Sequence, residues 1–430
     1  MLFNIAQKVK LENGEFAIIK KFLGEGGQGE VYLVSQGSRD YALKWYKMLP
    51  SESFINNLRN NIHLGQPSND FLWPLRLTEK SNQGVGYLMD LRPSIFKDFI
   101  AFLNAKVKFS SHSALVTYCL NLTNAFKQLH QRGYSYQDLN DGSFFFNPDN
   151  GDALICDNDN VAKYGTNLGI MGKMKYMAPE VVVKKNLPDT HTDRFSLAVI
   201  LFMTLTYGHP FQGELLRNYP MIDEAAEYEL YGASPIFVFD PNNTSNRPIR
   251  GYHNAVLKLW PELPNYVKQE FIKTFTEGLL DRENGRTTEL KWVKTFQKYR
   301  DEIVKCPKCN FEYPAQTYPK STCPKCKLNH EILGKLTINN HLIYLDSNKE
   351  IYQTHIDKTS SEYGKVVGRV VENKNNPNLK GFKNQSDREW KITDINGMSK
   401  IIPPEGVFRL DIKQLTIDFG EGITGEFQSI

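Results

Sequence analysis

Residues 23–46 read LGEGGQGEVYLVSQGSRDYALKWY, and this stretch decides the fold. Gly24, Gly26 and Gly29 stand at a spacing that lets backbone N–H groups approach phosphate oxygens where a Cβ would clash. The same GxGxxG spacing opens a helix in dinucleotide folds and also occurs by chance in turns. Here it leads into strand, turn and strand instead, and the second strand carries Ala42 and Lys44, the lysine 15 residues beyond Gly29. A glycine hairpin followed by Ala-x-Lys on the next strand sets a cation beside a backbone open to phosphate. Taken alone, the pair leaves open a lesser reading, a surface hairpin with an exposed lysine.

Five further motifs follow in order. YSYQDLNDGSFFFN contains Asp138; ALICDNDN contains Asp157, 19 residues later; GKMKYMAPE contains Glu180; HTDRFSLAVILF opens with Asp193 near its start; and LLDRENGRTT supplies Arg286. Each is commonplace, but the set in this order over 260 residues resembles the eukaryotic-like Ser/Thr protein kinase family, from about residue 15 to 300. The resemblance implies a bilobal kinase fold with a small lobe at about 15–91 and a large lobe at about 92–300, within a kinase domain of 1–300. It also implies ATP and Mg²⁺ as cofactors. Lys44 would hold the α- and β-phosphates, Asp157 would bind the metal, and Asp138 would orient the substrate hydroxyl and accept its proton. Val31 and Ala42 would sandwich the adenine, with Met89 as gatekeeper and Asp90 to Arg92 as the hinge.

Departures from the family pattern carry their own expectations. Gln137 stands where the family has arginine before the catalytic aspartate, so a phosphorylated activation loop would find no arginine to dock on. That loop offers Tyr164 and Thr166 before Tyr176, and the expectation is a kinase not switched by loop phosphorylation. Asn140 replaces the loop lysine, and Lys173 is expected to return that charge from across the cleft. Ser143 replaces the second metal-binding asparagine; a hydroxyl can ligate Mg²⁺, though more weakly than an amide oxygen. Asn158 and Asp159 replace the Phe and Gly after Asp157, leaving Asp159 as either a metal ligand or a solvated acid. The family's lysine pairs with a glutamate on the small-lobe helix. Between Trp45 and Asn69 the only acid is Glu52, so Glu52 is the expected partner of Lys44.

Length and composition bound the rest. A chain of 430 residues, 40% apolar and 23% charged, is a folded protein of two or three domains. The net charge of +4 is too mild to imply nucleic acid or an anionic membrane as a partner. The most apolar stretch, residues 195–205, is about half of what a membrane span needs and reads as a buried helix. The opening MLFNIAQKVK lacks an export-signal pattern, so cytoplasm is the expected compartment.

Four of the six cysteines, Cys306, Cys309, Cys323 and Cys326, form two CPKC knuckles separated by 13 residues. Four thiolates in this arrangement suit tetrahedral Zn²⁺, with Lys308 and Lys325 helping to hold them deprotonated, and residues 303–330 resemble a zinc ribbon. An iron site of rubredoxin type has similar spacing. Structural zinc is expected, since four cysteines leave no open position. Residues 335–430 alternate apolar and polar side chains between regular turns, as an all-β sandwich does. Their second half, with Gly368-Arg369, resembles a degenerate forkhead-associated (FHA) domain lacking the Ser-x-x-His that should follow.

The fold class expected is therefore multidomain α+β: a kinase, a zinc ribbon and a small β sandwich. The expected function is ATP-dependent phosphorylation of Ser or Thr on a protein partner recruited by the β domain. The organisation resembles kinases of bacterial tellurite-resistance phosphorylation triads, which implies as partners a von Willebrand A-domain protein and a metal-dependent phosphatase. The altered residues at Gln137, Asn140 and Ser143 support an alternative, a pseudokinase acting as a nucleotide-binding scaffold. A third reading, nucleic-acid binding by the ribbon, rests only on seven basic against four acidic residues between Arg300 and Lys335.

Overall fold

The computed structural model describes residues 2–82, 84–169, 172–315, 320–347, 349–376 and 379–429. The chain opens with β1 (Lys8–Lys10), β2 (Phe16–Glu25), β3 (Gly29–Gln36) and β4 (Arg39–Tyr46). Helix α1 (Glu52–Leu64) follows, then β5 (Pro74–Leu77) and β6 (Gly86–Met89). The six strands form one antiparallel sheet in the order β1-β2-β3-β4-β6-β5. Helix α1 starts because the Ser51 hydroxyl accepts the Phe54 N–H, and stops at Gly65, whose φ of 74° suits glycine. It packs Phe54, Ile55 and Leu58 against the sheet through Tyr46, Leu77 and Tyr87.

The large lobe is built around α2 (His112–Gln131) and α3 (Thr190–Thr206). Helix α3 is apolar on all sides because it is surrounded: every residue from Phe195 to Thr206 is buried, and an Asp189 capping box holds its start. Short strands β7 (Phe144–Phe146) and β8 (Ala153–Ile155) pair antiparallel and carry the loops that face the small lobe. Helices α4 (Asn265–Phe275) and α5 (Glu289–Glu302) close the lobe, with Trp292, Phe296 and Tyr299 buried against the core. Arg286 makes a bidentate pair with Glu180, at 2.8 and 2.7 Å, tying the end of the activation segment to the loop before α5. No helix among the described residues is long and apolar enough to cross a membrane.

Two small hairpins follow α5 without a linker, Ile303–Lys305 with Glu312–Pro314, and Lys320–Thr322 with Asn329–Glu331. The remaining chain forms two sheets. One has the order His341–Leu345, Gly334–Ile338, Thr424–Ser429, Gln414–Asp418, Trp390–Asp394, Ser399–Ile402. The other runs Glu350–Tyr352, Val366–Glu372, Lys380–Asn384, Val407–Arg409. Inward residues of both sheets, among them Leu336, Trp390, Ile417 and Phe427 from the first and Val370, Phe382 and Phe408 from the second, share one core.

These sheets are fastened to the large lobe by charge. Asp301, in the last turn of α5, accepts from His355 Nε2 at 3.1 Å and His341 Nδ1 at 3.2 Å. The His355 Nδ1 accepts the Tyr352 N–H at 3.0 Å, so its Nε2 carries the proton that Asp301 takes. Arg300 lies 3.4 Å over the Tyr352 ring and donates to the Tyr363 carbonyl at 2.6 Å. Burial alone would push the Asp301 carboxyl up, but His355, His341 and Arg300 together hold it far below the ordinary carboxylate range.

Because the folded carboxyl keeps its charge to a lower pH than the unfolded one, its contribution is complete above about pH 4 and fades as pH falls further. Asp301→Asn should therefore cost about 3–5 kcal/mol near neutrality. Urea unfolding of both proteins across pH should show that gap shrinking below about pH 4.

Candidate active site and metal centre

The glycine hairpin joins β2 to β3 and closes with the Gly26 N–H on the Gly29 carbonyl at 2.9 Å. Its glycines are there for different reasons. A Cβ at Gly29 would overlap the Trp45 carbonyl oxygen, so close packing of β3 on β4 demands glycine. At Gly24 and Gly26 a Cβ would meet nothing within 4 Å, leaving the backbone open to an approaching ligand. Val31 pairs with Lys44 across the sheet, and Ala42 pairs with Met89 on β6. Beyond β6, Asp90 turns its side chain to Arg39 at 2.7 Å, and the Arg92 guanidinium lies 4.0 Å over the Phe145 ring.

Lys44 is buried, and its Nζ bridges the lobes. It lies 3.2 Å from Asp157 Oδ1, 2.8 Å from Asp159 Oδ2 and 3.2 Å from Gln28 Oε1. Burial works against the ammonium, but Asp159 and Asp157 more than offset it and hold the lysine protonated well above its ordinary range. Asp157 adopts a left-handed φ of 53°, which turns the chain so that Asp157 and Asp159 both face the lysine.

Glu52 is not part of this cluster. It sits in the exposed first turn of α1 and pairs with Lys80. The reason is geometric: the α1 face that meets the sheet is made of Phe54, Ile55 and Leu58, and Glu52 lies off it. Asp159 is neither metal-exposed nor solvated; it is fully buried between Lys44 and the Tyr46 hydroxyl, which donates to it at 2.6 Å.

The catalytic-loop segment rests on Asp193. Its carboxylate accepts from the Tyr136 N–H at 2.6 Å, the Gln137 N–H at 3.1 Å and His130 Nε2 at 3.1 Å. This support fixes Gln137 at a φ of 71°, a strained value for a non-glycine residue. Asp138 follows directly. Asn140 Nδ2 donates to its Oδ1 at 3.0 Å, Asn160 Nδ2 lies 3.3 Å from its Oδ2, and Gly172 leaves room beside it. Burial, helped by Asp157, raises the Asp138 carboxyl above its ordinary value, with Asn140 acting against the shift.

Three departures resolve into specific contacts. Gln137 Nε2 donates to the Thr166 carbonyl at 2.5 Å, so the neutral glutamine grips the activation-segment backbone directly. Lys173 Nζ binds Asp141 at 2.7 Å, with Lys175 on the other oxygen at 3.3 Å, and from there its charge acts on the Asp138 carboxyl against the rise that burial causes. Ser143 is fully buried beside the Tyr136 phenol, and its carbonyl accepts the Cys156 N–H at 2.8 Å, next to Asp157. The Asp157 carboxylate, by contrast, is 47% exposed with one oxygen on Lys44, and fits a divalent cation through the other.

The second centre lies past α5. The four cysteine Sγ atoms all fall within 4.8 Å of one another, with Cys306–Cys326 and Cys309–Cys323 each at 3.6 Å. Bonded sulfurs would be about 2.05 Å apart, whereas a tetrahedral metal with bonds of about 2.3 Å separates its sulfurs by about 3.8 Å. The knuckles repeat each other. Asn310 N bonds Cys306 O and Lys327 N bonds Cys323 O, both at 2.9 Å, with φ of 57° and 61° at Asn310 and Lys327. Burial opposes ionisation of Cys306, yet the backbone N–H groups of Cys309 and Lys308 help bring it down to about 7.

Tyr46 and Asn160 are the site residues that motif reading passed over, and Asp159 is one whose partners it did not find. Tyr46 had a signal: it stands two residues from Lys44 on one strand and therefore shares its face. For the cysteine centre, Cys306→Ser should cut bound metal from about one ion per chain to a small fraction and speed proteolysis within 303–330. Elemental analysis and timed proteolysis check both, and full metal retention by the variant would contradict the four-sulfur arrangement.

The chain is 25% identical over 346 residues to protein kinase YegI of Escherichia coli K12, covering 75% of this chain and 50% of that protein. It is 24% identical over 232 residues to G protein-coupled receptor kinase 2 of Caenorhabditis elegans, covering 51% of this chain and 32% of the other. The chain thus spans half or less of the length of these curated relatives. Among solved structures it is similar to the autoinhibited serine kinase domain of the giant muscle protein titin. That likeness has 15% identity and a TM-score of 0.49, over 66% of this chain and 80% of that one. The sequence profile of the protein kinase domain matches residues 17–283, and the chain belongs to the protein kinase family.

Proposed function

We propose that the chain is a serine/threonine protein kinase that transfers the γ-phosphoryl group of ATP to a hydroxyl of a partner protein. The observation that carries this reading is Lys44 meeting Asp157 at 3.2 Å across the two lobes, beside an Asp138 braced by Asn140. Lys44 holds the α- and β-phosphates under the open backbone of Gly24 and Gly26, with the adenine between Val31 and Ala42, Met89 as gatekeeper and the hinge at Asp90 to Arg92. Magnesium, when bound at Asp157, neutralises the charge that spreads over the phosphate oxygens. Asp138 orients the substrate oxygen and takes its proton as that oxygen bonds to the γ-phosphorus and the bond to the β-phosphate oxygen breaks. A raised carboxyl suits that proton acceptance.

The four cysteines, in this reading, hold a structural zinc ion, and the ribbon with the β domain docks the partner in the cytoplasm. The triad resemblance suggests a von Willebrand A-domain protein as that partner and a metal-dependent phosphatase as the opposing enzyme. Arg369, the phosphate-gripping candidate of an FHA-like surface, is paired with Glu350, which favours docking that does not depend on phosphothreonine. The second reading, a nucleotide-binding scaffold, draws on Gln137, Asn140 and Ser143, where the chain departs from the family pattern.

Labelled ATP with Mg²⁺ separates the two. Asp157→Asn and Lys44→Met should each lower phosphoryl transfer by about a hundredfold or more with the nucleotide-free protein still folded, Lys44→Met melting lower because it strips the buried Asp159 of its counter-charge. A wild type that binds ATP and transfers nothing would favour the scaffold. Loop control gives a further test. Thr166→Ala leaves intact the carbonyl that Gln137 grips, so its rate should stay near wild type, as should that of phosphatase-treated enzyme. Gln137→Ala should lose about tenfold or more, of the order expected when an interaction that holds a catalytic segment is removed. A large loss in Thr166→Ala with normal melting would return control to loop phosphorylation.

A further inference from the structure

In the family pattern the phosphate-binding lysine is steadied by a glutamate on the small-lobe helix, and here that helix has no acid facing the lysine. The side of α1 turned inward carries Phe54, Ile55, Leu58 and Asn61. Its two inner polar contacts are neutral: Asn57 Nδ2 and Asn61 Nδ2 both donate to the Val161 carbonyl at 2.8 Å. A buried ammonium left without a second counter-charge would be costly. Asp159 provides that charge, fully buried, at 2.8 Å from Lys44, and its orientation is set by the Tyr46 hydroxyl at 2.6 Å.

We propose that Asp159, aimed by Tyr46, is the positioning residue for Lys44, replacing the helix glutamate with an anchor from the segment that also carries Asp157. The inference rests on Lys44 being the phosphate-binding lysine. Three donors of one ammonium group meet three acceptors, Asp157, Asp159 and Gln28, of which only Asp159 is fully buried. Asp157 turns toward a metal and Gln28 sits on the glycine hairpin, so neither is a fixed point once a nucleotide enters. Asp159 is fixed. The consequence for control is direct: rotation of α1 away from the sheet does not remove the lysine's counter-ion, because the counter-ion is not on α1.

The test uses the full chain. Asp159→Asn keeps the shape and removes the charge, and Tyr46→Phe keeps the charge and removes its aim. Without nucleotide, chemical acylation of lysines followed by peptide mass spectrometry reads how tightly Lys44 is held. Lys349, buried and donating to the Arg300 and Ile303 carbonyls, reports any general loosening. Asp159→Asn should speed Lys44 acylation about tenfold with Lys349 unchanged, and weaken Mg-ATP binding by a similar factor; Tyr46→Phe should do both to a smaller extent. Lys44 acylation within twofold of wild type in both variants would overturn the anchor. If acylation rises as expected while wild type binds no ATP, the anchor stands and the kinase reading falls. Should Asp159→Asn expose Lys349 as well, Tyr46→Phe decides.

Discussion

The carboxylate of Asp193 is the point on which the active region depends. It stands in the first turn of α3, the surrounded helix of the large lobe, and through it the hydrophobic core fixes the backbone of Tyr136 and Gln137. Without that support a left-handed glutamine would relax, and Asp138, the next residue, would lose its direction. His130 extends the same support to α5: its other ring nitrogen meets Glu289 at 2.8 Å, and Arg194 meets Glu289 at 2.7 Å. With two carboxylates around it, His130 stays charged to about 9 despite burial, and Glu289 is held down to about 2. The chain of contacts runs from the C-terminal helix of the kinase unit through the core to the catalytic loop.

Much of this was legible in the sequence because local rules govern it. The glycine run becomes a hairpin between two strands, and the apolar run at 195–205 becomes a surrounded helix, both from short-range chemistry. Motif spacing likewise brought Lys44 to Asp157, and Glu180 to Arg286, across more than a hundred residues. What was not legible depends on where a side chain ends up after the chain has turned. Asp159 is exposed or buried according to one left-handed residue before it. Lys173 is anchored on Asp141, and Glu52 follows the face of a helix whose rotation is set by three apolar neighbours. The sequence names such groups without naming their partners.

The joining of the units was hidden for the same reason. Asp301 meets His341 and His355 from 40 and 54 residues away, and none of the three lies in a recognisable motif. The cysteine knuckles, by contrast, could be read directly, since their geometry is written into the repeated Cys-Pro-Lys-Cys and completed by a left-handed residue after each.

The matched kinase region ends at residue 283, yet the material that completes its fold does not. Helix α5 begins at Glu289 and buries three aromatic rings in the lobe, and its final turn belongs equally to the β sheets through Arg300 and Asp301. A gene fragment cut to the matched boundary would discard core; one cut just after α5 would strand a buried carboxylate between groups that no longer exist. The catalytic unit of this chain therefore cannot be excised or swapped as an interchangeable cassette, and recombination during evolution would be expected to move the kinase, the cysteine knuckles and the β sheets together.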